Sequence, residues 1–311
     1  MRVLITGING FIGYWLAQYL FNEKQTVFGI SRTSMVTDKR AKIYHSNILN
    51  QSELKRIIQQ SKPDVIYHLA AQSNIADSFL SPQSTVDVNI MGTLNLLECI
   101  RSICSKTRLI SVGSSAEYGW TAQKNTILSE DMALRPSNPY AVTKAAQGNF
   151  VQIYRKAYGL RCTHLRPFAI IGPRKIKDAI SDFARGIVAI ERGKKKYLAV
   201  GDISQVRDFM DVRDAARAFI AVADKGQSLT TVNICSGKAT SLEEALHHLV
   251  SLAKKRIIIK KDPTRIRAVE DSILVGDPHT LQSLKFASKF CLHETLSDIL
   301  AFWRQRGDRV C

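Results

Sequence analysis

The sequence holds 311 residues, 45% of them hydrophobic, with 44 Lys and Arg against 27 Asp and Glu, a net charge of +17. That length suits one large domain, or a nucleotide-binding domain with a smaller substrate cap, and no apolar run nears the roughly 18–20 residues that cross a bilayer. The positive charge is spread along the whole chain, with short clusters such as Lys194-Lys195-Lys196 and no nucleic-acid-binding module, so nucleic acid is not the expected partner.

Met1–Gly7 reads directly as a buried strand rather than an export signal. Six cysteines (Cys99, Cys104, Cys162, Cys235, Cys291 and Cys311) form no C-x-x-C pair, and no His/Cys cluster has ligand spacing. A cytoplasmic protein with reduced thiols and no metal is expected.

In chain order, Val3–Thr6 is predicted as a strand, Phe11–Phe21 as a helix, and Thr26–Ile30 and the short Ile43–Tyr44 as strands. A helix at Gln51–Gln60 and a strand at Asp64–Leu69 follow. One long amphipathic helix is predicted over Ser84–Cys104, with Leu94, Leu97 and Ile100 on its apolar stripe. Leu109–Val112 is a strand, Pro139 opens a helix through Tyr158, and Cys162–Leu165 is a strand. This alternation predicts a Rossmann-type α/β fold, a doubly wound parallel sheet. Beyond Pro167 the alternation loosens, with helices predicted at Ala179–Glu191, Val212–Ala223, Leu242–Ala253 and Leu296–Arg304. Residues 1–166 are therefore expected to bind a dinucleotide. Residues 167–311 are expected to form mainly a smaller C-terminal α/β substrate-binding lobe, with some segments returning to the first sheet.

Gly7, Gly10 and Gly13 form G-x-x-G-x-x-G directly after the first strand and open a helix. Such a turn lets backbone N–H groups and the positive helix end meet a pyrophosphate. At the end of the second strand, where a carboxylate would bind the ribose hydroxyls of NAD, the chain reads Ser31-Arg32-Thr33. NADP(H) is the expected cofactor, with NAD(H) the alternative.

Tyr140 and Lys144 stand four residues apart in a first helical turn, on one face. A phenol near pKa 10 is a poor acid–base at neutral pH, and a nearby ammonium is expected to lower it. Ser114 follows the strand ending at Val112, where its hydroxyl can meet a substrate carbonyl.

These motifs closely resemble the extended short-chain dehydrogenase/reductase family. Further matching features are His68-Leu69-Ala70-Ala71, Ser114-Ser115-Ala116-Glu117-Tyr118-Gly119, Arg166-Pro167, Gly172-Pro173, Val206-Arg207-Asp208-Phe209 and Asp211-Val212-Arg213-Asp214. The resemblance implies Ser114, Tyr140 and Lys144 as catalytic. It implies a cofactor cleft of Gly7, Asn9, Gly10, Phe11, Ile12, Gly13, Ser31, Arg32, Asn47, Ile48, Leu69, Ala70, Ala71 and Asn89, with Tyr140 and Lys144. It implies substrate contacts from Gln72, Ser115, Arg207, Arg267 and Glu270, and a homodimer built on the helices over Ser84–Cys104 and Pro139–Tyr158.

Family members that dehydrate sugars carry an Asp-Glu pair directly after the hydroxyl residue, whereas this chain has Ser115-Ala116 there. Glu117 comes one residue later, a step that reverses direction on a strand. The stretches Gly113–Gly119, Leu134–Tyr140 and Gln205–Val212 resemble the family's reductases that follow such dehydratases, and that resemblance implies NADPH-dependent reduction of the C4 keto group of a nucleotide-linked 4-keto-6-deoxy sugar, GDP-4-keto-6-deoxy-mannose favoured. The alternative is a nucleotide-sugar 4-epimerase with tightly held NAD. Relatives carry Asn-His where this chain has Ala169-Ile170, and Arg267 and Glu270 keep only part of the family's Arg-Pro-x-Glu pattern.

Overall fold

A computed structural model describes residues 1–33, 38–122, 126–265 and 273–306. β1 (Arg2–Thr6) leads through the glycine turn into α1 (Phe11–Asn22), followed by β2 (Thr26–Ser31), β3 (Lys42–His45), α2 (Gln51–Ser61) and β4 (Val65–His68). Next come α3 (Ile75–Leu80), α4 (Pro82–Val86), a π-helical turn at Asp87–Met91, α5 (Gly92–Ile103) and β5 (Arg108–Val112). A 3-10 turn at Ser115–Glu117 precedes α6 (Pro139–Tyr158) and β6 (Cys162–Pro167). Then follow β7 (Ala169–Ile171), α7 (Ala179–Glu191), β8 (Leu198–Val200), β9 (Val206–Asp211), α8 (Val212–Lys225) and β10 (Thr231–Ile234). The described chain closes with β11 (Ala239–Ser241), α9 (Leu242–Ser251), β12 (Ile259–Lys261), β13 (Ile273–Leu274), α10 (His279–Ser283) and α11 (Leu292–Arg306).

Among the described residues seven strands form one parallel sheet in the order β3-β2-β1-β4-β5-β6-β10. The order reverses between β1 and β4, which opens a crevice at their carboxyl ends. The period of two in each strand sorts side chains to the two faces. Val3 and Ile5 of β1, Val65 and Tyr67 of β4, and Ile110 and Val112 of β5 pack with Leu16 and Leu20 of α1 and Phe219 and Val222 of α8. Leu4, Ile66 and Leu109 point the other way, onto Ile57 of α2, Leu96 and Ile100 of α5, and Val151 of α6. Each such large apolar side chain contributes about 1.5–3 kcal/mol on burial, so both faces must be covered by helices. A second core joins α7, α9 and α11 through Phe183, Ile187, Leu246, Leu249, Leu296, Ile299 and Trp303. β9 pairs with β7, β11 and β13 in a separate small sheet, and β8 pairs with β12.

The helix predicted as regular over Ser84–Cys104 is not regular. It begins at Pro82, widens into the π turn at Asp87–Met91 and ends at Ile103. Such single wide turns often sit at functional sites. Here the turn carries Asn89, whose side chain is fully buried and hydrogen-bonded across to α6. No helix among the described residues is long and apolar enough to cross a membrane.

Candidate active site

The glycine turn is shaped by backbone crowding. Gly7 has φ +75°, and a Cβ there would lie 2.9 Å from the Ala70 backbone nitrogen. At Gly13 a Cβ would stand 2.4 Å from the Gly7 carbonyl oxygen, so only hydrogen fits. The first residue flanking α1, Gly10, offers no side-chain cap, and the first turn carries no acid. Those orphan N–H groups and the positive helix end suit a pyrophosphate. Leu69–Gln72 forms the opposite wall, half-buried, and Gln72 has a buried Oε1 without a hydrogen-bond donor among the described residues. These features fit a dinucleotide cofactor.

At the far end of that crevice the Asn9 amide donates to Ser31 Oγ at 2.9 Å and to Thr33 Oγ1 at 3.3 Å. Arg32 is exposed, with His45 Nε2 2.6 Å from its carbonyl oxygen. Asp38 is held by Arg40 and Gln18, and the Arg40 guanidinium beside it keeps its carboxyl far below the ordinary value. Asn47 turns its side-chain oxygen onto the Leu49 N–H, and Ile48 is buried in the core beneath α2 and α5.

A hydrogen-bonded path ties this crevice to the Tyr140 helix. The Ala70 N–H donates to Thr6 Oγ1, which lies 2.8 Å from His68 Nδ1. His68 Nε2 lies 3.0 Å from Thr93 Oγ1, and that hydroxyl donates to the Asn89 carbonyl. The Asn89 amide nitrogen donates to the Gln72 carbonyl and to Thr143 Oγ1, while its oxygen accepts the Gln72 N–H. Thr143 in turn donates to the Tyr140 carbonyl. Because Thr93 spends its proton on Asn89, it accepts from His68, whose Nδ1 must accept from Thr6. Burial, with the nearby Lys144 charge, pulls His68 down to about 3, so the ring is neutral.

Asn138 caps α6 by accepting the Ala141 N–H, and Pro139 fills the first helical position, which fixes Tyr140 and Lys144 at the buried start of the helix. The Ser114 side chain lies beside the Tyr140 phenol. Ser114 is half-buried at the end of β5, and its hydroxyl oxygen accepts the Ala116 N–H at 3.1 Å. The Lys144 ammonium donates to the Val112 carbonyl and to Gln147 Oε1, each at 2.8 Å. Serine, phenol and ammonium therefore converge where β5 meets α6.

The expected lowering of the phenol does not occur in the protein alone. Burial pushes Tyr140 up to about 12, with the neighbouring Ser114 side chain working in the opposite direction. Burial also pulls Lys144 down to about 8, against the attraction of Glu117. The ammonium is occupied by Val112 and Gln147, so desolvation dominates at the phenol.

Glu117 is fully buried, and its carboxylate accepts from the Ser114 N–H at 2.8 Å, His164 Nε2 at 3.0 Å and Arg166 Nε at 3.0 Å. Arg166 also donates to the Tyr118 hydroxyl and the Glu130 carbonyl. None of this was legible from motif spacing alone, although Gln147, three residues after Lys144, shares its helix face.

Ser115 is buried beside Ser114. Arg207 lies on β9, half-buried, and donates to Gln205 Oε1 at 2.7 Å and to the Val206 carbonyl. Asp208 next to it is occupied by Ser236 and by the Gly237 and Gly276 N–H groups, and Asp211 by Arg213. At the family's Asn-His position, Ala169 and Ile170 lie in β7, with Ile170 buried. Arg267 and Glu270 lie outside the described residues.

Comparison with known proteins agrees with this geometry. The chain is 29% identical over 308 residues to the GDP-6-deoxy-D-mannose reductase of Pseudomonas aeruginosa, covering 98% of each. Among solved structures it is similar to RMD from Pseudomonas aeruginosa complexed with NADPH, with TM-score 0.86, 27% identity and coverage of 99% of this chain and 100% of that one. It is also similar to a UDP-glucose 4-epimerase with UDP-glucose from Thermotoga maritima, with TM-score 0.87, 25% identity and coverage of 98% and 99%. The family model described as GDP-mannose 4,6 dehydratase matches residues 4–299, nearly the whole chain. The chain thus belongs to the GDP-mannose 4,6-dehydratase family, within the NAD(P)-dependent extended short-chain dehydrogenase/reductase enzymes of nucleotide-linked sugars.

Proposed function

We propose that the protein reduces the C4 keto group of a nucleotide-linked 4-keto-6-deoxy sugar, with GDP-4-keto-6-deoxy-mannose as the favoured substrate and NADPH as the reductant. The observation that carries this reading is the placement of Ser114 beside the Tyr140 phenol and of buried Lys144 one helical turn on, with no acid–base pair at Ser115 and Ala116. Glu117 cannot take the dehydratase role, because its carboxylate is committed to Ser114, His164 and Arg166.

Gly7, Gly10, Gly13, Asn9, Leu69, Ala70, Ala71 and Asn89 would hold the cofactor, which when bound supplies the hydride. Ser114 donates a hydrogen bond to the C4 oxygen and fixes the carbonyl against Tyr140. The Tyr140 phenol, which burial keeps protonated, gives its proton to that oxygen as the carbonyl carbon is reduced. Lys144 offsets the phenolate left behind until solvent returns the proton. Ser31, Arg32 and Thr33, with no acid at that strand end, favour the 2′-phosphate of NADPH. Residues 1–166 carry the cofactor. Residues 167–311, with Arg207, form mainly the sugar-nucleotide lobe, and α8 and β10 return to the first sheet.

The test is to incubate purified protein and NADPH with GDP-, dTDP- and UDP-linked 4-keto-6-deoxy sugars. Stoichiometric NADPH oxidation, fastest with the GDP sugar and slower with NADH, is expected. Failure with all three sugars sinks the reductase. Interconversion of 4-hydroxy sugars without added cofactor would establish the epimerase instead.

The same reading includes a homodimer. The exposed Leu80, Val86 and Met91 lie on or beside α4 and the π turn, and Val142 and Ile153 on the neighbouring α6, an apolar surface that a second copy would cover. Light scattering should give twice the chain mass, and Ile153→Glu should give the monomer mass.

A further inference from the structure

The Lys144 ammonium begins a buried chain of hydrogen bonds that leaves the site just described. Lys144 donates to Gln147 Oε1 at 2.8 Å, and Gln147 Nε2 donates to Ser111 Oγ at 2.8 Å. Ser111 Oγ lies 3.4 Å from His164 Nδ1, and His164 Nε2 lies 3.0 Å from Glu117 Oε1. The same carboxylate oxygen accepts the Ser114 N–H. Gln147, Ser111, His164 and Glu117 are all at most 1% exposed.

Donor and acceptor chemistry orients the links, with His164 as the neutral ring. Lysine only donates, so the Gln147 oxygen faces it and the Gln147 amide faces Ser111. Glu117 accepts, so His164 carries a proton on Nε2, and in the neutral ring Nδ1 is then the acceptor for the Ser111 hydroxyl. Donors therefore all point from the cation to the anion, the arrangement in which successive hydrogen bonds polarise one another. Glycines leave room for it. A Cβ at Gly113 would fall 2.1 Å from Glu117 Oε1 and 2.3 Å from His164 Nε2, and one at Gly148 would fall 2.8 Å from the same nitrogen.

We propose that Gln147, His164 and Glu117 are positioning residues for the reduction: a one-way hydrogen-bonded chain that aims the Lys144 ammonium and links it to a buried counter-charge, whose other contact holds the Ser114 backbone. The two groups on either side of Tyr140 are thereby referred to a single carboxylate. This rests on the catalytic reading of Ser114, Tyr140 and Lys144 above.

The test reads Lys144 directly in cofactor-free protein, by NMR of 13C-labelled lysine, taking the resonance missing from Lys144→Arg. Gln147→Met keeps the volume and removes the acceptor, and its Lys144 midpoint should fall by about one pH unit. Gln147→Glu should raise the midpoint. His164→Gln can still reach Glu117 but cuts the link to Ser111, and its midpoint should fall by a smaller amount. With a turned-over sugar in hand, kcat of Gln147→Met should drop about tenfold at unchanged KM. An unmoved midpoint in Gln147→Met overturns the proposal. So does a shift there with none in His164→Gln, which would leave Gln147 a local partner only. The titration needs neither substrate nor turnover, so a wrong sugar assignment leaves its outcome intact.

Discussion

Tyr140→Phe should lower kcat by about 10²–10⁴-fold, the usual worth of a positioned general acid, while leaving NADPH affinity within about twofold. The phenol is the group that stands beside Ser114, and its ring sits in a small apolar cluster with Ala116 and Ala141 that phenylalanine preserves. The affinity is retained because the glycine turn and Asn89 do not depend on the hydroxyl. Cofactor fluorescence titration beside stopped-flow turnover separates the two, and a variant as active as the parent refutes the role of the phenol. The pH profile follows from the same groups. Tyr140 at about 12 keeps its proton across the working range, so the limb comes from Lys144. In the free enzyme kcat/KM should fall as pH rises through about 8, where the ammonium is lost. Stability from this group moves the other way. Between about 8 and the ordinary lysine value of 10.5 the unfolded chain holds a proton that the folded chain has released, so folding stability rises with pH there. Activity lost in that window is therefore loss of charge at the site, and circular dichroism should show the fold intact.

Arg166→Met should destabilise the fold by about 3–5 kcal/mol, because it strands a buried carboxylate. Arg166 and Glu117 are 4% and 0% exposed, with Nε and Oε2 3.0 Å apart, so water cannot replace the guanidinium. Arg166 also anchors Tyr118, which donates to Asn233 of β10 at 2.8 Å. The pair thus joins the end of β5 to the edge strand of the sheet. A total stability of about 5–15 kcal/mol makes this loss a large fraction, visible as a lower urea midpoint. The double variant Glu117→Leu/Arg166→Met should regain part of it, since no charge is left unpaired. A single variant as stable as the parent would show the pair to be dispensable.

Much of the sheet was legible because its signals are local. Strand and helix periods, the glycine turn and Pro139 each depend on a few neighbouring residues, and the predicted elements from β1 to β6 lie where expected to within a few residues. The Tyr140–Lys144 pair was legible for the same reason, as one turn of a helix. The π turn was not. Apolar spacing over Ser84–Cys104 suits a regular helix, and what widens it around Asn89 is contact with Gln72 and Thr143, 17 and 54 residues away.

By itself the sequence determined which residues are the candidates for the chemistry, since hydroxyl, phenol, ammonium and glycine turn are matters of residue type and short spacing. Their electrostatics were decided only by tertiary structure. The links from Gln147 to Ser111, His164 to Ser111 and His164 to Glu117 span 36, 53 and 47 residues. They exist because β5 and β6 pair in register, Ser111 opposite His164. Burial of Tyr140 and Lys144 themselves, which no local pattern encodes, raises the phenol and lowers the ammonium.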